Sequence, residues 1–280
     1  MICEFPFTDK DFSRVRALIH RHAGIALGDQ KREMVYSRVS RRLRELRLPT
    51  FTSYLDLLEA GQDGDERQLF INALTTNLTS FFREAHHFPV LANLARAQRG
   101  PLTVWCAAAS TGEEPYSIAM TLCEALGEQA GAARVIATDI DTAVLARAEA
   151  GVFPAERVAR MPGERLKRFF NRGTGGNAGY VRVRPELASM VKFARLNLLD
   201  AAWPVREPVD AIFCRNVMIY FDKPTQRQVL ERFVPLLKPH GRLFAGHSEN
   251  ASLVTPAFRS IGQTVYALAD GRAAGGGQRA

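Results

Sequence analysis

The 280-residue chain has no run of 18 uncharged apolar residues, and its first residues, MICEFPFTDKDF, hold no basic segment leading into an apolar one. A membrane span and a secretory leader are therefore not expected, and a cytoplasmic protein is. Cysteine is scarce. Cys3, Cys106, Cys123 and Cys214 fall in no CxxC or Cys/His ligand spacing, which argues against a zinc site or a disulfide framework and leaves reduced, mostly buried thiols. Neither a G-x-x-x-x-G-K-[ST] phosphate loop nor a G-x-G-x-x-G turn occurs. The adjacent His86 and His87 would diverge on a helix, so they are assigned to surface or domain contacts rather than to a shared metal. What the chain does hold is 46% hydrophobic and 24% charged residues, a globular composition that excludes disorder as the main state and allows one to two domains.

The net charge of +8 is concentrated. Residues 31–47 carry seven Lys/Arg against Glu33 and Glu45, and residues 151–195 carry ten against Glu156, Glu164 and Glu186. The two segments together exceed the whole-chain excess, so the remainder is slightly acidic. Two basic faces of this kind attract nucleic acid, anionic membrane or an acidic protein, and charge alone does not choose among them.

Residues 1–75 read as a helical domain. Apolar residues recur at helical spacing in Phe12, Val15, Leu18 and Ile19, then in Val35, Val39, Leu43 and Leu46 before Pro49, with further helical patterns over Tyr54–Leu58 and Glu66–Leu74. Residues 76–100 form a polar strap and a helix. From 101 to 269 the short apolar runs LTVWCA, RVIATD, VKFARL, VDAIFC and GRLFAG alternate with helical stretches at Tyr116–Leu126, Thr142–Glu149 and Thr225–Leu237. This is the pattern of a doubly wound, Rossmann-like α/β sheet. The closing QTVYAL run follows GRLFAG too closely for a helical crossover and is expected as an antiparallel addition. Residues 152–190, with Pro154, Pro162, Pro185 and the alternating YVRVR, interrupt the pattern as a small, basic, antiparallel β insertion, and residues 270–280 are expected to be a disordered tail.

In open α/β sheets ligands lie beyond the carboxyl ends of the strands. After the first strand comes AAASTGEEP, where Gly112 would let backbone approach a ligand ahead of a helix starting near Pro115. The second strand ends in Asp139, suited to two ribose hydroxyls, although it could instead cap the helix starting near Asp141. Asn197, an amide able to read an adenine edge, follows the third strand, and Arg215-Asn216 opens the segment after the fourth. These groups suit an adenosine-type ligand without a polyphosphate, S-adenosylmethionine above all. The segment ALTTNLTSFFREAHHF holds Thr75, Thr76, Asn77, Thr79 and Ser80, more than capping a helix near Glu84 requires, and reads as a strap over the cofactor ending in Phe81-Phe82-Arg83.

The strings NALTTNLTSFFREAHHFPVL, AAASTGEEPYSIA, ATDID, FCRNVMIYFDK and LFAGHSEN, in this order and spacing, closely resemble the bacterial chemotaxis receptor glutamate O-methyltransferases, the CheR family. The match runs from about Phe12 to Leu268 and includes the helical segment AGIALGDQKREMVYSRVSRRLR. The resemblance implies transfer of a methyl group from S-adenosylmethionine to receptor glutamates for sensory adaptation, with S-adenosylhomocysteine as product and no metal. It implies cofactor contacts at Asn77, Thr79, Arg83, Glu114, Asp139, Asn197, Leu198, Arg215 and Asn216. Asp139 would hold the ribose and Glu114, or its neighbour Glu113, the methionine portion near its ammonium. Arg83 and Tyr220 would orient the accepting glutamate. An ionised glutamate is already a nucleophile, so rate must come from positioning and water exclusion rather than from a strong base.

On a helical wheel Lys31, Arg38 and Arg42, joined by Arg41, flank the apolar stripe of the second helix. They form either a solvated face or, as the resemblance suggests, a guide for the acidic helical bundle of a receptor. The insertion resembles the family's β-subdomain, and its RGTGGNAGYVRVR segment, with Arg182 and Arg184 beside an exposed edge, suggests capture of a receptor C-terminal pentapeptide by strand addition. A monomer recruited to membrane receptor arrays is expected. A nucleic-acid methyltransferase is not, since no [DN]-P-P-[YF] run occurs and neither Cys106 nor Cys214 follows a proline. A non-catalytic module that senses the cofactor is opposed by the presence of Arg83 and Tyr220.

Overall fold

The computed structural model describes residues 4–61, 64–98 and 100–269. The expected tail at 270–280 and Cys3 lie outside the described residues. The chain opens with four helices, α1 (Asp9–Ala23), α2 (Arg32–Leu46), α3 (Phe51–Ala60) and α4 (Gly64–Leu74). Helix α1 starts at a capping box: Thr8 Oγ1 accepts from the Asp11 amide, and the Asp11 carboxylate accepts from the Thr8 amide at 3.0 Å. It stops at Gly24, whose φ of 69° an L side chain would resist. The apolar stripes Phe12, Val15, Leu18 and Ile19 on α1 and Val35, Val39 and Leu43 on α2 are buried with Phe51, Tyr54, Phe70 and Ile71 in one core, as their spacing predicts.

Helix α5 (His87–Ala97) then leads into alternating elements: β1 (Leu102–Cys106), α6 (Glu113–Leu126), β2 (Ala133–Asp139) and α7 (Thr142–Ala150). The insertion follows as β3 (Val152–Pro154), α8 (Gly163–Phe169), β4 (Phe170–Arg172) and β5 (Tyr180–Val183). The alternation resumes with a short α9 (Pro185–Ala188), β6 (Val191–Arg195), β7 (Val209–Cys214), α10 (Lys223–Phe233) and β8 (Leu237–Ala245). A short α11 (Ala251–Val254), β9 (Phe258–Gly262) and β10 (Val265–Leu268) close the described chain. The seven-stranded sheet runs β6-β2-β1-β7-β8-β10-β9, with the first five strands parallel and β10 and β9 antiparallel. The chain winds outward from β1 through β2 to β6, then returns to the other side of β1 at β7. The switch point therefore lies between β1 and β7, where a ligand crevice belongs. β7 is buried at all six positions, the mark of a parallel strand covered on both faces.

One strand and several boundaries differ from the sequence reading. The strand FRSIG was missed because only Phe258 is buried, so an edge strand with four exposed residues shows no apolar run. Gln263 and Thr264, read as strand, form a turn with φ of 49° and 58°. Leu237 begins β8 rather than ending a helix. The helix expected near Glu84 starts at His87 because Glu84 itself sits at φ 53°.

The insertion is a three-stranded antiparallel sheet, β3-β5-β4. Val181 and Val183 point inward and Tyr180 and Arg182 outward, and Phe153, Phe169 and Phe170 join the core around Tyr116. The insertion is thus packed onto the main sheet. No helix among the described residues is long and apolar enough to cross a membrane.

Candidate active site

A cavity of about 890 Å3, its open mouth included, lies at the carboxyl ends of β1, β2, β6 and β7. Its floor comes from the strand ends: Ala107 and Ala108, Asp139 and Ile140, Leu196 to Leu198, and Arg215 and Asn216. Thr75 to Thr79 and Arg83 of the strap cover it, and Tyr220 lines it from the turn after β7. Ala23 and Ile25 of the helical bundle also line it, which the sequence did not suggest. The bundle is held there by a bridge between Ile25 and Phe221 and by the Ala26 amide donating to the Tyr220 carbonyl at 2.8 Å.

Asp139 is buried, and its two oxygens accept from the Ser110 and Asp141 amides at 2.8 and 2.9 Å. Burial pushes its carboxyl up to about 6. The helix cap is Asp141, which accepts from the Ala143 and Val144 amides, so Asp139 is left facing the cavity. Glu114 lines the cavity too, whereas Glu113 turns away to Arg157 and Thr111. Gly112 lies outside the lining. A Cβ there would meet Ala148 at 2.9 Å, so its glycine serves helix packing rather than approach to a ligand, contrary to the expectation for that loop.

The fully buried guanidinium of Arg215 ties floor to strap. It pairs with Glu114 at 2.7 Å and Glu84 at 3.2 Å and donates to the Arg83 carbonyl at 2.5 Å. Burial raises the Glu114 carboxyl, with Arg215 opposing. Burial also opposes ionisation of Glu84, but Arg215, His247 and Asn216 together pull it down to about 2. Glu84 was not singled out in the sequence; its role arises from contacts with residues more than 130 positions away. Arg83 stands between Phe82 and Glu84, both at φ 53°, and donates to the Leu78 carbonyl at 2.8 Å. Asn77 donates to Asp141 at 2.8 Å, and Asn216 donates through its side chain to Glu84.

Asn197 lines the cavity, and its amide also bonds outside it. Nδ2 donates to the His22 carbonyl at 2.6 Å and Oδ1 accepts from the Leu199 amide at 3.0 Å. These two bonds tie sheet to helical bundle and leave the amide a second N–H and a second acceptor lone pair. His86 and His87 do not diverge either: their rings lie 4.2 Å apart and both approach the Gln263 carbonyl. With Glu84 they bring ligand-type atoms within 4.8 Å of one another, but the Arg215 guanidinium at 3.2 Å from Glu84 disfavours a cation there.

Residues 77–267 match the family model described as CheR methyltransferase, SAM binding domain, and residues 10–75 match CheR methyltransferase, all-alpha domain. The chain belongs to the CheR methyltransferase family. It is 58% identical over 268 residues to a chemotaxis protein methyltransferase of Klebsiella aerogenes, covering 96% of this chain and 92% of that one. It is 58% identical over 261 residues to the chemotaxis protein methyltransferase of Escherichia coli, at 93% and 91% coverage. To chemotaxis protein methyltransferase 2 of Pseudomonas aeruginosa it is 56% identical over 269 residues, covering 95% of each. This CheR methyltransferase is an S-adenosylmethionine-dependent enzyme, and the cavity fits that cofactor. It offers two buried carboxylates to a cationic nucleoside, small residues at the end of β1, and apolar Ile140 and Leu198.

The basic flank of α2 is not the free surface the wheel suggested. Arg38 donates to the Ala73 carbonyl at 3.2 Å and the Thr75 carbonyl at 2.5 Å, closing the end of α4 where the strap begins. Arg42 is bound to Glu45 and to the buried Glu66, which also accepts from Tyr54 at 2.7 Å. Lys31 and Arg41 remain exposed. Long side chains reach across to a neighbouring helix, so wheel position alone does not reveal internal partners. Arg38→Ala is expected to weaken S-adenosylhomocysteine binding about tenfold in calorimetry by freeing Thr75, an effect of about one charged hydrogen bond. Arg41→Glu should leave that affinity unchanged.

In the insertion Arg182 lies on the central strand β5, opposite Val152 and Asn171, so it borders no free edge. Arg184 follows β5 and is half-buried. The free edges are β3 and β4, contrary to the expectation of an edge at the YVRVR strand.

Proposed function

We propose that this CheR methyltransferase transfers a methyl group from S-adenosylmethionine to glutamate side-chain carboxylates of chemotaxis receptors. The observation that carries this reading is the cavity's ionisable lining, in which the carboxylates are engaged and Arg83 and Tyr220 are left to face an anionic acceptor. The ionisable lining consists of Arg83, Glu114, Asp139, Arg215 and Tyr220, and both carboxylates are buried and engaged by Arg215 or backbone amides. An amine or hydroxyl acceptor would need deprotonation, whereas an ionised carboxylate does not. The cofactor supplies a sulfonium methyl open to in-line attack. Asp139 holds the ribose and Glu114 the methionine end. Arg83 offers a planar fork to the acceptor carboxylate and Tyr220 a hydroxyl, so the two orient one oxygen toward the methyl. The strap excludes water from the reacting pair. A receptor fragment whose acceptor glutamates are replaced by glutamine should take up no methyl group; equal uptake by that fragment would refute a carboxylate acceptor.

Lys31, just before α2, and Arg41 on α2 are exposed cations that would face an acidic receptor bundle. A receptor C-terminal pentapeptide would add to β3 or β4, with Arg182 on the adjoining strand. Calorimetry with that pentapeptide should give saturable binding, and no heat of binding would reject the tether. Localisation at receptor arrays would follow from these two contacts.

Asp139 sets a pH dependence. Burial raises its carboxyl to about 6, and only the ionised form accepts both ribose hydroxyls. Binding favours the ionised form and so lowers its pKa. Affinity for S-adenosylhomocysteine is thus expected to be level above pH 7 and to fall below 6, approaching about tenfold per pH unit. Asp139→Asn should bind weakly at every pH with the slope abolished, as calorimetry between pH 5 and 8 would read.

A further inference from the structure

The strap over the cofactor is held from two sides. On the inside, Asn77 is tied to Asp141 and the Arg83 carbonyl to Arg215. Between those anchors the contacts come from outside, from the insertion and α6. Arg157, which follows β3, donates to the Thr79 carbonyl at 2.8 Å and is held in place by the buried Glu113, at 3.1 Å through its Nε. Phe81 meets Phe153 of β3 and Phe170 of β4 edge to face at 4.9 and 5.7 Å. Arg165 of α8 lies 4.2 Å over the Phe82 ring, and the Phe82 amide donates to Ser117 of α6 at 2.9 Å. Phe82 itself is at φ 53°, a backbone state that persists only where surrounding contacts over-determine it.

We propose that the β insertion is the outer support of the cofactor strap and that Arg157 is a positioning residue for S-adenosylmethionine binding. Arg157 does not line the cavity, but Thr79, whose carbonyl it holds, does. Without that contact the strap must be ordered by the cofactor itself, and the ordering cost appears as lost affinity. Once the cofactor is bound the strap is in place, so chemistry and receptor recognition proceed as before. The inference depends on the cofactor alone and holds whether or not the insertion also captures a receptor peptide.

The test uses the full chain in three forms: Arg157→Gln, Glu113→Gln, and the double variant, which leaves no buried carboxylate without its cation. Calorimetry with S-adenosylhomocysteine should show about tenfold weaker binding for Arg157→Gln and for the double variant, the weight of one charge-assisted hydrogen bond. Glu113→Gln, which retains the Thr79 contact, should lose less. Amide hydrogen exchange in the cofactor-free protein should accelerate over residues 76–84 and not in α5 or β1. In turnover the KM for S-adenosylmethionine should rise, with kcat and the receptor KM within about twofold, since transition-state contacts are untouched. Binding within twofold of the parent in both Arg157 variants, or exchange accelerated equally throughout the domain, would overturn the proposal.

Discussion

Arg215→Met is expected to lower unfolding stability by about 3–5 kcal/mol and to remove cofactor binding, because it breaks a buried charge cluster on one side only. The parent guanidinium is fully buried and faces Glu114 and Glu84, which retain only a tenth of their side-chain exposure. Once the cation is gone the two carboxylates lose the buried charge they share, and the Arg83 carbonyl loses its donor. Lysine cannot substitute, since a single ammonium lacks the fork that reaches Glu114, Glu84 and the strap backbone together. Arg215→Met combined with Glu114→Gln should regain part of the stability and none of the cofactor affinity. Denaturant unfolding and S-adenosylhomocysteine calorimetry on the same samples separate the two effects. A Met variant with unchanged stability would show that the cluster contributes nothing to the fold.

Arg83→Ala is expected to reduce kcat by about 100-fold or more while weakening cofactor binding much less. A misplaced acceptor costs that much when rate depends on alignment rather than on a base. In the proposed reaction the fork cannot bind the carboxylate too tightly without quenching its nucleophilicity, so the role proposed for Arg83 is orientation, and its loss would misdirect the attack. The strained neighbours Phe82 and Glu84 fix the point from which it reaches into the cavity. Arg83→Lys should remain poor because an ammonium cannot hold both oxygens in plane. Near-normal methyl transfer by Arg83→Ala in a tritium-incorporation assay would remove Arg83 from the reaction.

Much of this architecture was legible in the sequence because its signals are local. The stripes on α1 and α2 and the apolar runs of β1, β2, β7 and β8 reflect burial that each segment must achieve on its own. Asp139 was visible as a carboxylate at a strand end, although its competition with Asp141 for the helix cap was decided only by the hydrogen bonds of α7. Three missed contacts share one cause. Arg38, Asn197 and Glu84 take roles set by partners distant in sequence, at Thr75, His22 and Arg215, and residue type does not reveal which carbonyl or carboxylate a long polar side chain will reach. The edge strand β9 escaped because its exposed face carries no apolar pattern.

The most direct test of glutamate methylation is incubation of the purified chain with tritiated S-adenosylmethionine and membranes from its own host, followed by mild alkali. Label in a receptor-sized band that is released as volatile methanol is the predicted result, because a carboxylate methyl ester hydrolyses under those conditions. Label that stays on the protein through the alkali would place the methyl group on nitrogen or on an ether oxygen and contradict the account.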